Sequence, residues 1–267
     1  VTKAKLPEDP PLRWTYRTGE SITAGAVIRN DRIYVGSQDG NLYALKLQTG
    51  EQVWSFKADG PINAPPLLYK DNLYVGTKEG TFYAVAAKNG QERWRYKADG
   101  KIAGSANCAI PSTQDAPAKI LFGSYDYKLH CLEAESGDRI WTYKTKNYVN
   151  GTPAIHGRHA VVGGCDAHLH IVTLKNGEAA GRVDNGAYIA GSVALADDRA
   201  FVGHYENQIV CTNLKKQEVA WKYGNKEEGD PFFSSPAVAK ERLVIGSRDG
   251  HLYCLSQKDG DLAWTFR

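Results

Sequence analysis

The stretch YVGSQDGNLYALKLQTGEQVW, residues 34–54, holds two apolar segments around a Gln-Asp-Gly turn and ends, after a Thr-Gly turn, on a tryptophan. Almost the same text returns forty residues later as YVGTKEGTFYAVAAKNGQERW, residues 74–94. Self-similarity at a fixed period of about 20 to 50 residues is typical of repeat architectures, in which each period is one structural unit. The chain is therefore expected to be an array of similar units.

Tryptophans mark the period along the whole chain. Their spacings are 40, 40, 47, 80 and 43 residues, between Trp14, Trp54, Trp94, Trp141, Trp221 and Trp264. The spacing of 80 is two periods with Gly181 in the vacant place, and the spacing of 47 contains the insertion AIPSTQDAPAK at 109–119. Six full repeats follow from this alignment.

Each repeat contains four short segments rich in β-branched and aromatic residues, separated by Gly, Asp or Asn turns. This pattern predicts four antiparallel strands, the first of which, ITAGAVI at 22–28 in the first repeat, is expected nearest a crowded axis. One such sheet cannot bury both of its faces, whereas several stacked around an axis can. We predict an all-β fold: a β-propeller of four-stranded antiparallel blades, formed as a single domain by residues 11–267 after an N-terminal linker at 1–10.

The segment LRWTYRTG, residues 12–19, precedes the first full repeat and is predicted to be an extra N-terminal tryptophan strand. Two alternatives follow: six blades that close with a spare strand, or a truncated seven- or eight-bladed ring. Truncation is favoured because the last repeat stops at Arg267 in the middle of its pattern. A chain that begins at Val1 and contains no methionine is also expected to be a piece of a longer product.

The segment ALKLQTGEQVW, residues 44–54, resembles the tryptophan-docking motif of the PQQ-like (quinoprotein alcohol dehydrogenase-like) repeat, Ala-x-Asp-x-x-Thr-Gly-x-x-x-Trp. In style the chain is most similar to outer-membrane assembly (BamB-like) propeller proteins. The resemblance implies that each indole docks on the neighbouring blade. The implied docking residues are the six tryptophans and Gly50, Gly90, Gly137 and Gly260.

The motif's Asp is replaced in every copy, and two consecutive repeats depart from the motif further. In the fourth copy Ile171 and Gly181 stand where the motif has Ala and Trp, and in the fifth copy Gln217 stands where it has Gly. The contact between the fourth and fifth blades is therefore expected to be the least regular.

Bulk composition excludes several classes of protein. The net charge is only +3, and the 33 basic residues are interspersed with 30 acidic ones without a basic block, which argues against a nucleic-acid partner. Five widely spaced cysteines, an odd number without a CxxC pair, argue against a disulfide framework or an ordinary zinc site.

Two sets of polar residues suggest chemistry but have simpler interpretations. An acidic residue recurs at the same turn of every repeat and is expected to stabilise that turn; the set is Asp39, Glu79, Asp126, Asp166, Glu206 and Asp249. His130 and His170 occupy a position that is Tyr43 in the first copy, so they are interpreted as packing residues. No catalytic residue, cofactor or metal site is predicted.

One turn position varies most among the repeats and is the candidate for recognition, because propellers place variable residues on a rigid scaffold. The residues of this variable-turn face are Gln38, Lys78, Tyr125, Cys165, Tyr205 and Arg248. Cys165 is expected to be exposed and reactive there, although a catalytic, nucleophilic role is not favoured.

The favoured function is a non-catalytic binding or scaffolding propeller for protein–protein interaction, periplasmic or extracellular, with a protein or peptide as partner. The location depends on the resemblance and on LPEDPP, residues 6–11, interpreted as a tether after a removed membrane anchor. The alternatives are a ligand-sensing domain of a larger receptor or enzyme and, less favoured, a fragment of a PQQ-dependent dehydrogenase. Membership of that dehydrogenase family would imply a vicinal cysteine pair, which this chain lacks.

Overall fold

The computed structural model describes residues 9–111, 116–225 and 227–267. Within these residues the chain forms six sheets of four antiparallel strands, each sheet in simple chain order. This confirms the predicted all-β propeller architecture. We number the sheets as blades 1 to 6 and name each contact by its two blades, so that junction 4/5 joins blades 4 and 5.

The strand bounds repeat with the period of the sequence. Blade 1 contains β1 (Val27–Arg29), β2 (Arg32–Gly36), β3 (Asn41–Lys46) and β4 (Gln52–Lys57). Blade 2 contains β5 (Leu67–Tyr69), β6 (Asn72–Gly76), β7 (Thr81–Ala86) and β8 (Glu92–Lys97). Blade 3 contains β9 (Asn107–Ala109), β10 (Lys119–Gly123), β11 (Lys128–Glu133) and β12 (Arg139–Lys144).

The second half follows the same plan. Blade 4 contains β13 (Ala154–His156), β14 (His159–Gly163), β15 (His168–Thr173) and β16 (Ala179–Asp184). Blade 5 contains β17 (Ala194–Ala196), β18 (Arg199–Gly203), β19 (Ile209–Asn213) and β20 (Glu218–Tyr223). Blade 6 contains β21 (Ala237–Ala239), β22 (Arg242–Gly246), β23 (Leu252–Ser256) and β24 (Leu262–Phe266).

Every blade carries a bulge at the same place, between its third and fourth strands. In blade 1 the register pairs Ala44 with Trp54 and then shifts between Ala44 and Leu45. The shift recurs in the other five blades. A bulge adds one unpaired residue and bends the strand, so it re-aims the side chains of the outermost strand.

The innermost strands are shorter than the sequence predicts. Only Val27–Arg29 forms a strand where 22–28 was expected. The preceding small residues contact the neighbouring blade instead: a Cβ on Gly151 would lie 2.3 Å from the Gly191 carbonyl oxygen, and Ser105 Oγ donates to the Pro65 carbonyl at 2.7 Å. Sheets that converge on an axis bring their backbones together, so these residues bond between blades rather than within one.

The N-terminal segment differs from its predicted form in one detail. Residues 11–22 carry Trp14 against blade 1 but are not part of any sheet. Of the expected linker, residues 1–8 lie outside the described residues, and so do 112–115 of the insertion between β9 and β10. No helix long and apolar enough to cross a membrane occurs in the described part of the chain.

The core lies between adjacent blades rather than inside any one of them. One cluster joins Tyr34, Leu42 and Trp54 of blade 1 to Leu73 and Tyr83 of blade 2. Because the five largest clusters each take side chains from two neighbouring sheets, the burial of a blade depends on its neighbour.

Candidate functional site

The indoles join the blades in a common geometry. Trp54 Nε1 of blade 1 donates to the Ala87 carbonyl of blade 2 at 3.2 Å, and a Cβ on Gly90 would lie 2.7 Å from Trp54 Cε3. Gly90 also has a φ of 75°, in the left-handed region that favours glycine. The indole therefore lies flat on a turn that only glycine suits.

The same contact recurs elsewhere along the chain. Trp14 covers Gly50, Trp94 covers Gly137, Trp141 covers Gly177 and Trp221 covers Gly260. Their Nε1 atoms donate to Leu47, Ala134, Leu174 and Gln257 carbonyls at 3.0 to 3.2 Å. Gly177 was missed in the sequence, although its Asn-Gly turn matches the other copies. Trp264 is 47% exposed.

A second ring pair accompanies each of the five docked indoles. The residue two places after the tryptophan packs edge-on or tilted against an aromatic side chain of the next blade. The pairs are Tyr16–Tyr43, Phe56–Tyr83, Tyr96–His130, Tyr143–His170 and Tyr223–Tyr253, with ring centroids 5.3 to 6.1 Å apart.

The aligned carboxylates serve the turns. Asp39 Oδ1 accepts from the Asn41 backbone N–H at 2.9 Å, and Asp126 Oδ1 accepts from that of Lys128 at 3.1 Å. In blade 2 this role passes to Asp59 of the incoming loop, which accepts from the Thr77 hydroxyl at 2.8 Å. The structure thus supports a stabilising role for these carboxylates.

The two buried histidines are part of the same turn network. His170 Nε2 lies 3.0 Å from Asp166 Oδ1, and its Nδ1 lies 3.1 Å from the Tyr143 hydroxyl. Burial opposes ionisation of the Asp166 carboxyl, but hydrogen bonds from His170 and the Lys146 N–H lower its pKa to about 2. Tyr43 makes the equivalent bond to Asp39 at 2.7 Å. An imidazole therefore replaces a phenol in one packing position.

The six residues of the variable-turn face occupy equivalent places in the structure. The backbone N–H of each donates to the loop that enters the innermost strand of its own blade. The acceptors are Ser21, Pro61, Lys101, Tyr148, Tyr188 and Pro231, at 2.8 to 3.1 Å. The face is thus built from two loops per blade, of which sequence reasoning singled out one.

Aromatic side chains gather on the part of this face that belongs to blades 3 to 6. Tyr125 stacks on Tyr148 with centroids 4.3 Å apart, and Tyr205 lies 4.4 Å from Phe233. Tyr127 and Tyr188 join these pairs at 5.2 and 6.2 Å. We call these six residues the aromatic face: Tyr125, Tyr127, Tyr148, Tyr188, Tyr205 and Phe233.

Cations border the aromatic face. Blades 1 and 2 have no aromatic side chain at the corresponding positions. Lys101 Nζ lies 4.7 Å from the Tyr125 ring and Arg248 Cζ lies 5.3 Å from the Phe233 ring. The corresponding turn residues of blades 1 and 2 are Gln38 and Lys78. Tyr148, Tyr188 and Phe233 were missed because they lie in the second loop; aligning that loop across repeats would have revealed them.

The expectation for Cys165 was wrong. Its side chain is buried, with 8% of the residue exposed, and Asn150 Nδ2 donates to its Sγ at 3.2 Å. Burial, and then the Asp166 charge, raise the pKa of the thiol. A protonated, covered thiol is a packing group rather than a nucleophile. Within the described residues no three His, Cys, Asp or Glu side chains are placed to share a metal ion.

Comparison with known proteins agrees with this geometry. A solved structure, BamB from Moraxella catarrhalis, superposes with a TM-score of 0.78 at 20% sequence identity, covering 95% of this chain and 76% of that one. Such a likeness shows the fold. A search of curated proteins gives no significant match. The family model described as outer membrane protein assembly factor BamB matches residues 7–118 and 165–267. Because these segments cover well over half of the chain, the protein belongs to the outer membrane protein assembly factor BamB family.

Proposed function

We propose that this chain is a non-catalytic scaffold that binds another protein or a peptide through its aromatic face, outside the cytoplasm. The aromatic face is the observation that carries the proposal. Four of its tyrosines are 38 to 52% exposed, namely Tyr127, Tyr148, Tyr188 and Tyr205. Exposed tyrosines beside an arginine are the composition typical of the centre of a protein interface.

The packing of the face also suits binding. Because the rings already contact one another, for example Tyr148 on Tyr125 and Tyr205 on Phe233, little rotamer freedom remains to be lost when a partner docks. Their hydroxyls supply hydrogen bonds, while Lys101 and Arg248 at the border favour an acidic rim on the partner.

The family supports the class of function. Its description names an assembly factor for outer membrane proteins, and we extend to this chain a scaffolding role in the periplasm or outside the cell. In this proposal the N-terminal residues tether the propeller to a membrane, and neither a cofactor nor nucleic acid takes part.

A photo-crosslinking amino acid placed at Tyr148 or Tyr205 tests the proposal in producing cells. The matched control is Lys88, an exposed residue of the β7–β8 turn at the opposite end of blade 2. We expect a discrete crosslinked protein from the two tyrosine positions and none from Lys88. In a second arm, Tyr148→Ala/Tyr205→Ala should weaken binding of the captured partner at least about tenfold. Equal crosslinking from Lys88, or unchanged affinity of the double variant, would contradict the proposal.

A further inference from the structure

Junction 4/5 lacks both ring contacts of the other junctions. Gly181 stands at the indole position, and Val183 and Val210 replace the second ring pair. Gln217 takes the place of the docking glycine and keeps the left-handed backbone, with a φ of 55°. Its side chain turns toward Gly181: Nε2 donates to the Ala180 carbonyl at 3.0 Å, and a Cβ on Gly181 would lie 2.4 Å from Oε1.

Gln217 fills only the part of the indole space that lies next to Gly181. A cavity of about 250 Å³ remains beside it and opens to solvent at the end of the blades opposite the aromatic face. The apolar part of its lining consists of Val161, Ile171, Ala180 and Leu214. The polar part is formed by His156, His159, Asp198, Lys215 and Gln217. A cavity of about 150 Å³ with apolar walls is large enough to bind benzene, so this one has room for a larger, bicyclic ring.

The polar end of the cavity matches an indole as well. At the other junctions the carbonyl of the β3–β4-type turn accepts the indole N–H and often a cation, as Leu174 does from Trp141 at 3.2 Å and from Lys119 at 2.5 Å. Leu214 holds the equivalent carbonyl at junction 4/5 and lines the cavity. In the described residues neither His159, which stands at the Lys119 position, nor any other group donates to that oxygen.

We propose that the cavity at junction 4/5 binds an indole ring, which lies between Gly181 and the β19–β20 turn and donates its N–H to the Leu214 carbonyl. The same chain builds this arrangement with its own tryptophans at neighbouring junctions, so the backbone is already shaped for the ring. The ring can come from free indole or from a tryptophan side chain of another polypeptide, since both present the same donor and face.

The probes are indole, N-acetyl-tryptophanamide and 1-methylindole, added to isotope-labelled protein and followed by amide chemical shifts. We expect saturable shifts at Ala180, Gly181 and Leu214 with indole. Without the N–H, 1-methylindole should bind about fivefold more weakly, because one neutral hydrogen bond is lost. Tighter binding of N-acetyl-tryptophanamide than of indole would identify a polypeptide side chain as the source, and the reverse order would identify the free molecule.

Two variants test the place of binding. The first is a rebuilt variant with the docking residues of junction 1/2 at junction 4/5, Ile171→Ala/Gly181→Trp/Gln217→Gly. Its own indole should abolish the chemical-shift changes caused by added indole and raise the melting temperature by about 4 °C. Gln217→Ala removes an exposed side chain from the mouth of the cavity and should tighten indole binding about threefold or more, because the ring no longer displaces the glutamine amide.

The proposal is overturned if neither the natural protein nor Gln217→Ala shows saturable shifts at these residues up to the solubility limit of indole. It is also overturned if the rebuilt variant binds as well as the natural protein. Gln217→Ala keeps the test decisive should the rebuilt variant fail to fold. None of these outcomes depends on the aromatic face, which lies at the other end of the blades.

Discussion

Junctions 3/4 and 4/5 share one backbone plan and differ in their side chains. At junction 3/4, Trp141 covers Gly177 and Tyr143 bonds to His170. At junction 4/5 the four corresponding positions are Gly181, Gln217, Val183 and Val210. The strand registers and the bulge of blades 4 and 5 are nevertheless the same. Once the neighbouring junctions hold the flanking blades in place, a junction can therefore keep its geometry without an indole.

The largest expected effect is the loss of an indole from junction 3/4. Trp141→Ala should lower the free energy of unfolding by about 3 to 5 kcal/mol, because it removes a buried ring and leaves a cavity. Chemical denaturation measures the change. Gln217→Ala at junction 4/5 is the matched control and should cost less than about 1 kcal/mol. Similar losses for both variants would show that the two junctions contribute equally.

The second largest effect is the difference in stability between alanine substitutions at Gly177 and at Gly181, two glycines of blade 4. Gly177→Ala should cost about 2 to 4 kcal/mol, because its φ is 76° and the new Cβ would lie 2.6 Å from the rigid Trp141 ring. Gly181→Ala meets only the end of the flexible Gln217 side chain and should cost about 1 kcal/mol or less. Thermal unfolding of the two variants measures this difference in stability. Equal melting temperatures would contradict the prediction.

The third effect is the pH dependence of junction 3/4. The pKa of Asp166 is lowered from 3.8 to about 2 in the folded protein, so its stabilisation is complete above about pH 4 and is lost as the pH falls to about 2. Asp166→Asn should remove up to about 2 kcal/mol at pH 7 and flatten the stability profile between these pH values.

A matched variant checks the cause of that pH dependence. His170→Tyr introduces the ring that bonds the turn carboxylate in blade 1, where Tyr43 donates to Asp39. It should stay within about 1 kcal/mol of the natural stability at pH 7. If Asp166→Asn keeps the full acid sensitivity of the natural protein, then Asp166 is not its source.

The smallest effect belongs to the aromatic face. Tyr205 is 45% exposed and its ring packs on Tyr188 and Phe233, so Tyr205→Ala should change the free energy of unfolding by about 0.5 kcal/mol. Chemical denaturation of Tyr205→Ala and Trp141→Ala compares the stability lost at the surface with the stability lost at a junction. A loss above about 2 kcal/mol would mean that the aromatic face supports the fold rather than a partner.

Much of the fold was predictable because neighbouring residues decide it. Alternation of apolar side chains and Gly-containing turns specified the second, third and fourth strands of each blade, and the recurring Trp and Gly specified the docking contacts. The innermost strands were predicted too long because residues such as Ser105 bond to another blade, in this case through the Ser105 hydroxyl to the Pro65 carbonyl. Cys165 was misjudged for a similar reason, since Asn150 and Ile189, which cover it, come from other loops.

The sequence by itself determined the repeat, the strand order within a blade and the loss of the indole contact at Gly181 and Gln217, because each depends on residues a few positions apart. Only the tertiary structure decided which side chains meet across blades. The aromatic face joins loops from four repeats, and the cavity at Leu214 is bounded by two. Such surfaces depend on how sheets pack around an axis, and that packing brings together residues whose separation along the chain gives no sign of contact.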